Sequence, residues 1–149
     1  HTNDAPSTIT RLQNMGTPDY LISAACQLVV AQRLARKNCK ECKVPDDDVN
    51  PKVLQDLGFS AEQATRTKAI KGKGCAKCSD TGYKGRQGIY EILVVSKPLK
   101  EAILRKATTP ELREIAIKEG FQTMQDMGRR LIAAGELNFR EYERVLSNE

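Results

Sequence analysis

The sequence lacks features that mark several common functional classes. None of its apolar runs approaches the roughly 20 residues of a membrane-spanning helix, and no secretory signal opens the chain. Tryptophan is absent, and the three phenylalanines and four tyrosines are scattered, whereas nucleic-acid binders interleave stacking aromatics with basic residues. Neither GxGxxG nor GxxxxGK followed by Ser or Thr occurs, so the sequence contains no recognisable phosphate-binding loop.

Length and charge leave the functional class open. The 149 residues could form one ordinary domain or two small ones, and the formal charge of +5 permits an acidic partner without requiring one. The chain begins at His1 without an initiator methionine. We therefore expect a piece of a longer protein, with His1 either native or the end of a purification tag.

Four of the five cysteines form two CxxC pairs, Cys39 with Cys42 and Cys75 with Cys78. Each pair brings two sulfurs to one tight turn, and two such turns supply the four thiolates that structural zinc prefers. The segment between the pairs is longer than in a usual zinc ribbon, which indicates a small subdomain rather than a hairpin. The sequence therefore predicts a structural Zn²⁺ site with these four cysteines as ligands.

Other uses of paired cysteines fit less well. A redox CxxC normally occurs once, at the head of a helix, and disulfides suit secreted domains, whereas free thiols and zinc suit a reducing cytoplasm. Basic residues near the pairs would favour the ionised thiols; they are Lys37, Lys40, Lys43, Lys71, Lys73, Lys77, Lys84 and Arg86. With zinc and four thiolates, the formal charge of +5 falls to about +3. The remaining cysteine, Cys26, is predicted to be a small buried hydrophobe.

The predicted secondary structure is mainly helical with a small β component, an α+β class. Apolar spacing and end signals predict a helix over 6–15, a long helix over 18–36, two short helices after Asn50 and Ser60, and four helices after residue 96. Residues 67–71 are predicted to form a strand. Residues 89–95 are almost continuously apolar, which predicts a strand covered on both faces, with most of its sheet upstream of His1.

Four stretches, in this order, resemble the ATPases of type IV pilus assembly and type II secretion. They are His1-Thr2-Asn3 with Ile9-Thr10-Arg11-Leu12, Ala31-Gln32-Arg33-Leu34-Ala35-Arg36, the two CxxC pairs, and residues 82–91. The resemblance covers nearly the whole chain, more loosely over 44–70 and the last helices. It favours pilus assembly slightly over type II secretion, and the four cysteines disfavour the retraction ATPases.

The resemblance implies a hexameric, RecA-like P-loop ATPase that uses ATP and Mg²⁺. It would work in the cytoplasm against an inner-membrane platform protein, and so add pilins to a fibre. Residues 1–38 would end the ATPase core, residues 39–88 would form the zinc-binding insertion, and residues 89–149 would form a core-returning strand with a C-terminal helical subdomain. The resemblance places His1 near the ATP γ-phosphate and makes Arg33 a second candidate nucleotide contact.

The sequence departs from the resemblance in one respect. Phosphoryl transfer needs a backbone phosphate cradle, its lysine and a metal-holding acid, and these 149 residues contain neither the loop nor the acidic strand. We therefore expect the chain alone to be inactive.

Two readings of other classes stay open at this point. A zinc-ribbon module that binds nucleic acid would show salt-sensitive binding to DNA or RNA. A chaperone-like cysteine-rich domain is the second, because Cys75-Ala76-Lys77-Cys78-Ser79-Asp80-Thr81-Gly82 resembles one repeat of the J-protein zinc region, with Ser79 in place of a glycine.

Overall fold

The computed structural model describes residues 3–147. Helices predominate over a small β component, as the sequence predicts. The elements are α1 (Ala5–Asn14), α2 (Asp19–Ala25), β1 (Leu28–Asn38), β2 (Lys43–Pro45), α3 (Pro51–Asp56), α4 (Ala61–Arg66), β3 (Ile70–Gly72), a 3-10 turn (Ala76–Cys78), β4 (Tyr83–Val94), α5 (Lys97–Leu104), α6 (Thr109–Lys118), α7 (Met124–Ala133) and α8 (Phe139–Leu146).

The chain divides into two compact units. Unit 1 contains the residues up to Gln32 together with Tyr90–Met124, and unit 2 contains Arg33–Ile89 together with the residues from Gln125 onward. Strands β1 and β4 each run from one unit into the other. Their antiparallel pairing follows from two hydrogen bonds: Cys39 N–H donates to Gly82 O at 2.9 Å, and Val95 N–H donates to Gln27 O at 3.0 Å.

Unit 1 is built from helices whose ends follow the predicted signals. The Asp4 side chain caps α1 by accepting from Ser7 N–H at 2.8 Å, and Gly16 has the positive φ of 92° that ends this helical segment. Helices α5 and α6 have Ser96 and Thr108 as N-caps, each followed by proline in the first turn. Large apolar side chains that are fully buried in this unit include Ile9, Leu99, Ile103 and Leu112.

The predicted long helix over 18–36 is wrong. Helix α2 ends at Ala25, and β1 begins at Leu28. Burial in β1 alternates, since Val29 is buried and Val30 is exposed, which is the period of two that a strand imposes. Cys26 is half-buried at the end of α2 rather than fully buried, because the helix ends there.

Strand β4 covers all but the last residue of the strand predicted at 89–95 and begins earlier, at Tyr83. Its buried face carries Ile89, Glu91 and Leu93. The opposite face is exposed over Tyr90, Ile92 and Val94, so the expected cover on both faces is not provided by residues 3–147.

Unit 2 contains a second small sheet and the last two helices. Strands β2 and β3 pair antiparallel with Val44 opposite Lys71, so the strand expected at 67–71 lies slightly later, at 70–72. Helices α7 and α8 approach closely at Gly128, where an added Cβ would lie 2.4 Å from Leu146 Cδ1. Among the helices of residues 3–147, none has the length and apolarity needed to cross a membrane.

Candidate metal centre

The four cysteines of the CxxC pairs lie together in unit 2, as predicted. Their sulfur atoms all lie within 4.8 Å of one another. The separations are 3.8 Å for Cys39–Cys75, 3.9 Å for Cys42–Cys78 and 3.7 Å for Cys75–Cys78. A tetrahedron of thiolates with Zn–S bonds of about 2.3 Å has edges of about 3.8 Å. The cluster therefore has the size of a four-thiolate zinc site.

The cysteines reach this arrangement from separate pieces of backbone. Cys39 directly follows β1, and Cys42 directly precedes β2. Cys75 directly precedes the 3-10 turn, and Cys78 is the last residue of that turn. The backbone of Lys73, just after β3, donates to Cys42 O at 2.9 Å. The β2–β3 pairing and the β1–β4 pairing thus both deliver sulfurs to one point.

Backbone N–H groups point at two of the sulfurs. Gly74 N–H donates to Cys42 Sγ at 3.3 Å, while Cys75 N–H and Gly82 N–H both donate to Cys78 Sγ at 3.2 Å. Hydrogen bonds to the ionised form favour it, so this turn stabilises thiolates.

Two glycines allow the strands at the site to approach. A Cβ on Gly72 would lie 2.0 Å from Gly82 O, and a Cβ on Gly82 would lie 2.5 Å from Gly72 O. Both contacts are with backbone, which cannot rotate away as a side chain can. A side chain at either position would therefore push the two backbones apart and disturb the hydrogen bond from Gly82 N–H to Cys78 Sγ.

The pKa values of two of the four thiols, Cys42 and Cys78, are shifted in opposite directions. Partial burial raises the pKa of the Cys42 thiol to about 11. Burial also opposes ionisation of Cys78, but the Cys75 and Gly82 N–H groups hold the pKa of that thiol at about 6. Because like charges this close repel, all four thiols ionise together only when a cation compensates them.

The cluster is not a pair of disulfides. The cysteines are free, and the sulfur separations of 3.7–3.9 Å far exceed the roughly 2.05 Å of an S–S bond. Four sulfur donors fit Zn²⁺, which would hold the chain segments together and, with four protein ligands, would keep no open position for a substrate.

The other predicted site residues lie apart from the sulfurs. Arg33 is on β1, where its Nη1 donates to Val145 O of α8 at 2.9 Å. His1 lies outside the described residues, so its predicted contact with the nucleotide stays a prediction. Cys26, in unit 1, is not part of the sulfur cluster.

Sequence analysis did not identify two buried carboxylates, Glu141 and Glu91. Glu141 in α8 is fully buried and accepts from Arg36 N–H at 3.0 Å, from the Arg36 guanidinium at 2.9 Å and from Arg144. Burial opposes its charge, but the two arginines hold the pKa of Glu141 at about 2. The Arg36 guanidinium also stacks 4.0 Å from the centre of the Tyr83 ring. No sequence pattern marked Glu141.

The second buried carboxylate, Glu91, accepts from the backbone of Ala5 and of Met124. The sequence did contain a signal for it, because Glu91 is the single charged residue in the otherwise apolar stretch 89–95. A charge in such a place is retained only where hydrogen bonds compensate its burial.

Comparison with known proteins places the chain among type II/IV secretion system proteins. The family described as "Type II/IV secretion system protein" matches residues 1–144. Two similar proteins are the type IV pilus assembly ATPases PilB of Myxococcus xanthus, 38% identical over 95% of this chain, and of Thermus thermophilus, 42% identical over 86%. A third is the type II secretion system protein HxcR of Pseudomonas aeruginosa, 34% identical over 97%.

The matched region is a small part of each relative. The chain covers 25% of the Myxococcus protein, 14% of the Thermus protein and 27% of HxcR. The match nevertheless extends over almost the whole of this chain, including the four cysteines. The chain belongs to the family of type II/IV secretion system proteins.

Proposed function

We propose that this chain is the C-terminal part of a hexameric ATPase that powers type IV pilus assembly. The observation that carries the proposal is the family match over residues 1–144, in which the relatives are ATPases of pilus assembly and type II secretion. In the complete protein, the phosphate loop and the Mg²⁺-holding acid come from residues outside this chain, and His1 contacts the γ-phosphate. Arg33 is a second nucleotide contact.

An exposed apolar face in unit 1 supports a larger RecA-like domain. The exposed side chains are Leu28 and Val30 on β1 with Tyr90, Ile92 and Val94 on β4, and each is at least 43% exposed. A contiguous apolar face of this kind is unfavourable in water and marks a surface that another element covers. The proposed cover is the remainder of the ATPase core, which extends the sheet that β1 and β4 begin.

The cysteine cluster has a structural role in this proposal. Its four sulfurs would bind one Zn²⁺ and hold residues 39–88 as an insertion beside the ATPase core. The zinc site takes no part in phosphoryl transfer, because that step depends on a phosphate cradle and Mg²⁺. The force-producing contact is with an inner-membrane platform protein, which holds the ATPase at the membrane.

Two measurements of ATP hydrolysis test the proposal. The purified 149-residue chain should release no phosphate from ATP above a buffer blank, whereas the complete polypeptide should hydrolyse ATP. Substituting His1→Ala in the complete polypeptide should reduce hydrolysis while the zinc content stays the same. Robust turnover by the isolated chain would overturn the assignment of the phosphate site to other residues.

The choice between pilus assembly and secretion needs a cellular test. The pilus assembly relatives are 38% and 42% identical to the chain, against 34% for HxcR, which favours pilus assembly. The complete gene should restore surface pili to a strain deleted for its own pilus assembly ATPase. Restoration of type II export instead of pili would assign the protein to secretion.

A further inference from the structure

The four sulfurs of the cluster differ in exposure and in the hydrogen bonds that they accept. Cys42 and Cys75 are half-buried, whereas Cys39 and Cys78 are buried. Gly74 N–H donates to Cys42 Sγ, and two backbone N–H groups donate to Cys78 Sγ. In the part of the chain that the structure describes, no backbone N–H group donates to the sulfur of Cys39 or of Cys75. Cys75 is therefore the one half-buried sulfur of the cluster without such a donor.

These differences single out Cys75 as the sulfur that an oxidant reaches and reacts with first. With four protein ligands the metal keeps no open position, so a peroxide reacts at sulfur rather than at the metal. The oxidant needs access, which burial denies to Cys39 and Cys78. Cys42 is as accessible as Cys75, but a thiolate whose charge is stabilised by a hydrogen bond is a weaker nucleophile.

Two buried sulfurs lie close enough to Cys75 to form a disulfide with it. Cys78 Sγ lies 3.7 Å from Cys75 Sγ, and Cys39 Sγ lies 3.8 Å away. Because the distances are nearly equal, the hydrogen bonds decide between them. Cys78 Sγ accepts two N–H groups at 3.2 Å, which weaken it as a nucleophile and would be disturbed if it moved. Cys39 is free of both restraints and is the better attacking group.

We propose that Cys75 is a site of reversible oxidation by peroxide, closed by Cys39 as a Cys39–Cys75 disulfide, a proposal that rests on the zinc site of the proposed function. The Cys75 thiolate attacks one peroxide oxygen; the S–O bond forms, the O–O bond breaks, and the departing hydroxide takes up a proton. The Cys39 thiolate then attacks Cys75 Sγ; the S–S bond forms, the S–O bond breaks, and a second hydroxide takes up a proton. Two electrons pass from the sulfurs to the peroxide, which becomes two molecules of water.

The disulfide changes what holds this part of unit 2 together. Only Cys42 and Cys78 remain as thiolates, half of the set that a structural zinc site uses, so the chain no longer retains the metal. The new bond links the residue after β1 to the residue before the 3-10 turn and closes residues 39–75 into a covalent loop. Such a loop restricts the unfolded chain and so offsets part of the loss of the metal. A thiol reductant reverses the change.

The sequence supplies a direct way to map the disulfide. Trypsin cuts after Lys40 and after Lys77, so the two cysteines of each CxxC pair fall on different peptides. The four peptides span residues 38–40, 41–43, 74–77 and 78–84.

The experiment treats the zinc-loaded, purified chain with a limiting amount of hydrogen peroxide, alkylates the remaining thiols and digests without reductant. Mass spectrometry should find peptide 38–40 joined to peptide 74–77. A colorimetric zinc assay should show one ion released for each disulfide, and reductant with added zinc should restore the metal. Hydrogen exchange over 39–75 should be slower in the oxidised, metal-free chain than in the reduced, metal-free chain.

A trap for sulfenic acids, such as dimedone, identifies the sulfur that reacts first. Label on peptide 74–77 should exceed label on peptide 41–43 about threefold or more, because the sulfur of Cys42 accepts a hydrogen bond that Cys75 lacks. The matched control is Cys26→Ser, which removes the cysteine outside the cluster. It should alter neither the labelling ratio nor the disulfide.

The possible failures are distinguishable. A chain that binds no zinc would show that the proposed metal site is wrong, and the inference would fall with it. A chain that binds zinc, yet first joins peptide 74–77 to 78–84 or keeps four free thiols in excess peroxide, would overturn the inference and leave the metal site standing. Preferential labelling of peptide 41–43, or equal hydrogen exchange over 39–75 with and without the disulfide, would also contradict it.

Discussion

Unit 1 and unit 2 differ in charge. Unit 1 contains seven lysines and arginines and seven acidic residues, whereas unit 2 contains seventeen and twelve, so the whole formal charge of +5 belongs to unit 2. Like charges repel, so a net positive charge lowers the stability of the compact state. Four thiolates around one zinc ion would lower the charge of unit 2 to about +3.

The two units also differ in what holds them together. Unit 1 has fully buried aliphatic side chains on α1, α5 and α6, together with one buried carboxylate that accepts hydrogen bonds from two backbone N–H groups. Unit 2 has the sulfur cluster, the ion pairs of Glu141, and Glu136 between Lys37 and Lys43. Unit 2 also buries aliphatic side chains, including Leu54, Ile132 and Leu137. We therefore expect unit 1 to depend mainly on apolar burial, and unit 2 to depend in addition on paired charges and on a metal ion bound by the four cysteines.

The largest effect should come from losing one sulfur ligand. Cys42→Ser should release the metal and unfold unit 2, because structural zinc contributes on the order of 10–16 kcal/mol and domains are stable by only about 5–15 kcal/mol. Hydrogen exchange resolved by residue should show lost protection over 39–88. Unit 1 should keep its protection.

The matched control is Cys26→Ser, which changes a half-buried cysteine outside the cluster. It should leave metal content unchanged. Equal loss of metal in both variants, or a stable unit 2 without zinc in Cys42→Ser, would contradict the difference drawn between the units.

A core truncation in unit 1 should have the next largest effect. Leu99 in α5 is fully buried, and Leu99→Ala should destabilise unit 1 by about 2–5 kcal/mol through lost burial and the cavity left behind. Zinc content should remain that of the wild type. Metal loss in this variant would show that the sulfur cluster depends on the core of unit 1.

Acid should weaken unit 2 through Glu141. The pKa of this carboxyl is lowered to about 2 in the folded chain, against about 4.3 in an unfolded one. Its stabilisation is therefore fully present above about pH 4.3 and is lost as the pH falls towards 2. Glu141→Gln should cost about 2 kcal/mol at neutral pH, discounted because Arg36 and Arg144 are half-exposed.

The check is denaturant titration of wild type and Glu141→Gln at a series of pH values, which gives the difference between their free energies of unfolding at each pH. The difference should stay level from pH 7 to about pH 5 and shrink below about pH 4.3. A difference that grew as the pH fell would have the wrong sign for a carboxylate with a lowered pKa.

The smallest effect should come from exposed ion pairs, whatever unit they occupy. Arg66 with Glu62 in unit 2 and Lys118 with Glu114 in unit 1 are i,i+4 pairs with side chains at least 70% exposed. Arg66→Ala and Lys118→Ala should each change stability by less than about 0.5 kcal/mol. A cost above about 1 kcal/mol in unit 2 alone would mean that its charge makes even surface pairs significant.

Local chemistry made much of the fold predictable. Proline after a capping residue marked the starts of α3, α5 and α6, and these helices begin at Pro51, Lys97 and Thr109. The two CxxC pairs identified the sulfur cluster, because the short spacing itself brings sulfurs together. Such signals are contained within a few residues, so the sequence shows them directly.

Pairings between distant segments could not be read in the same way. Residues 28–36 contain Ala31, Gln32, Leu34 and other good helix formers, yet they pair with β4 as a strand, and tertiary pairing overrides local propensity. Glu141 is buried with its charge paired to Arg36, which lies 105 residues earlier in the chain. The sequence gives no sign of a partner at that distance.

Metal analysis of the purified chain tests most directly the claim that a metal ion holds unit 2 together. The wild-type chain should contain one zinc per polypeptide, and a chelator should unfold residues 39–88 while α1, α5 and α6 of unit 1 stay protected from hydrogen exchange. A chain that melts identically with and without chelator, or that contains no tightly held metal after purification in zinc, would contradict it.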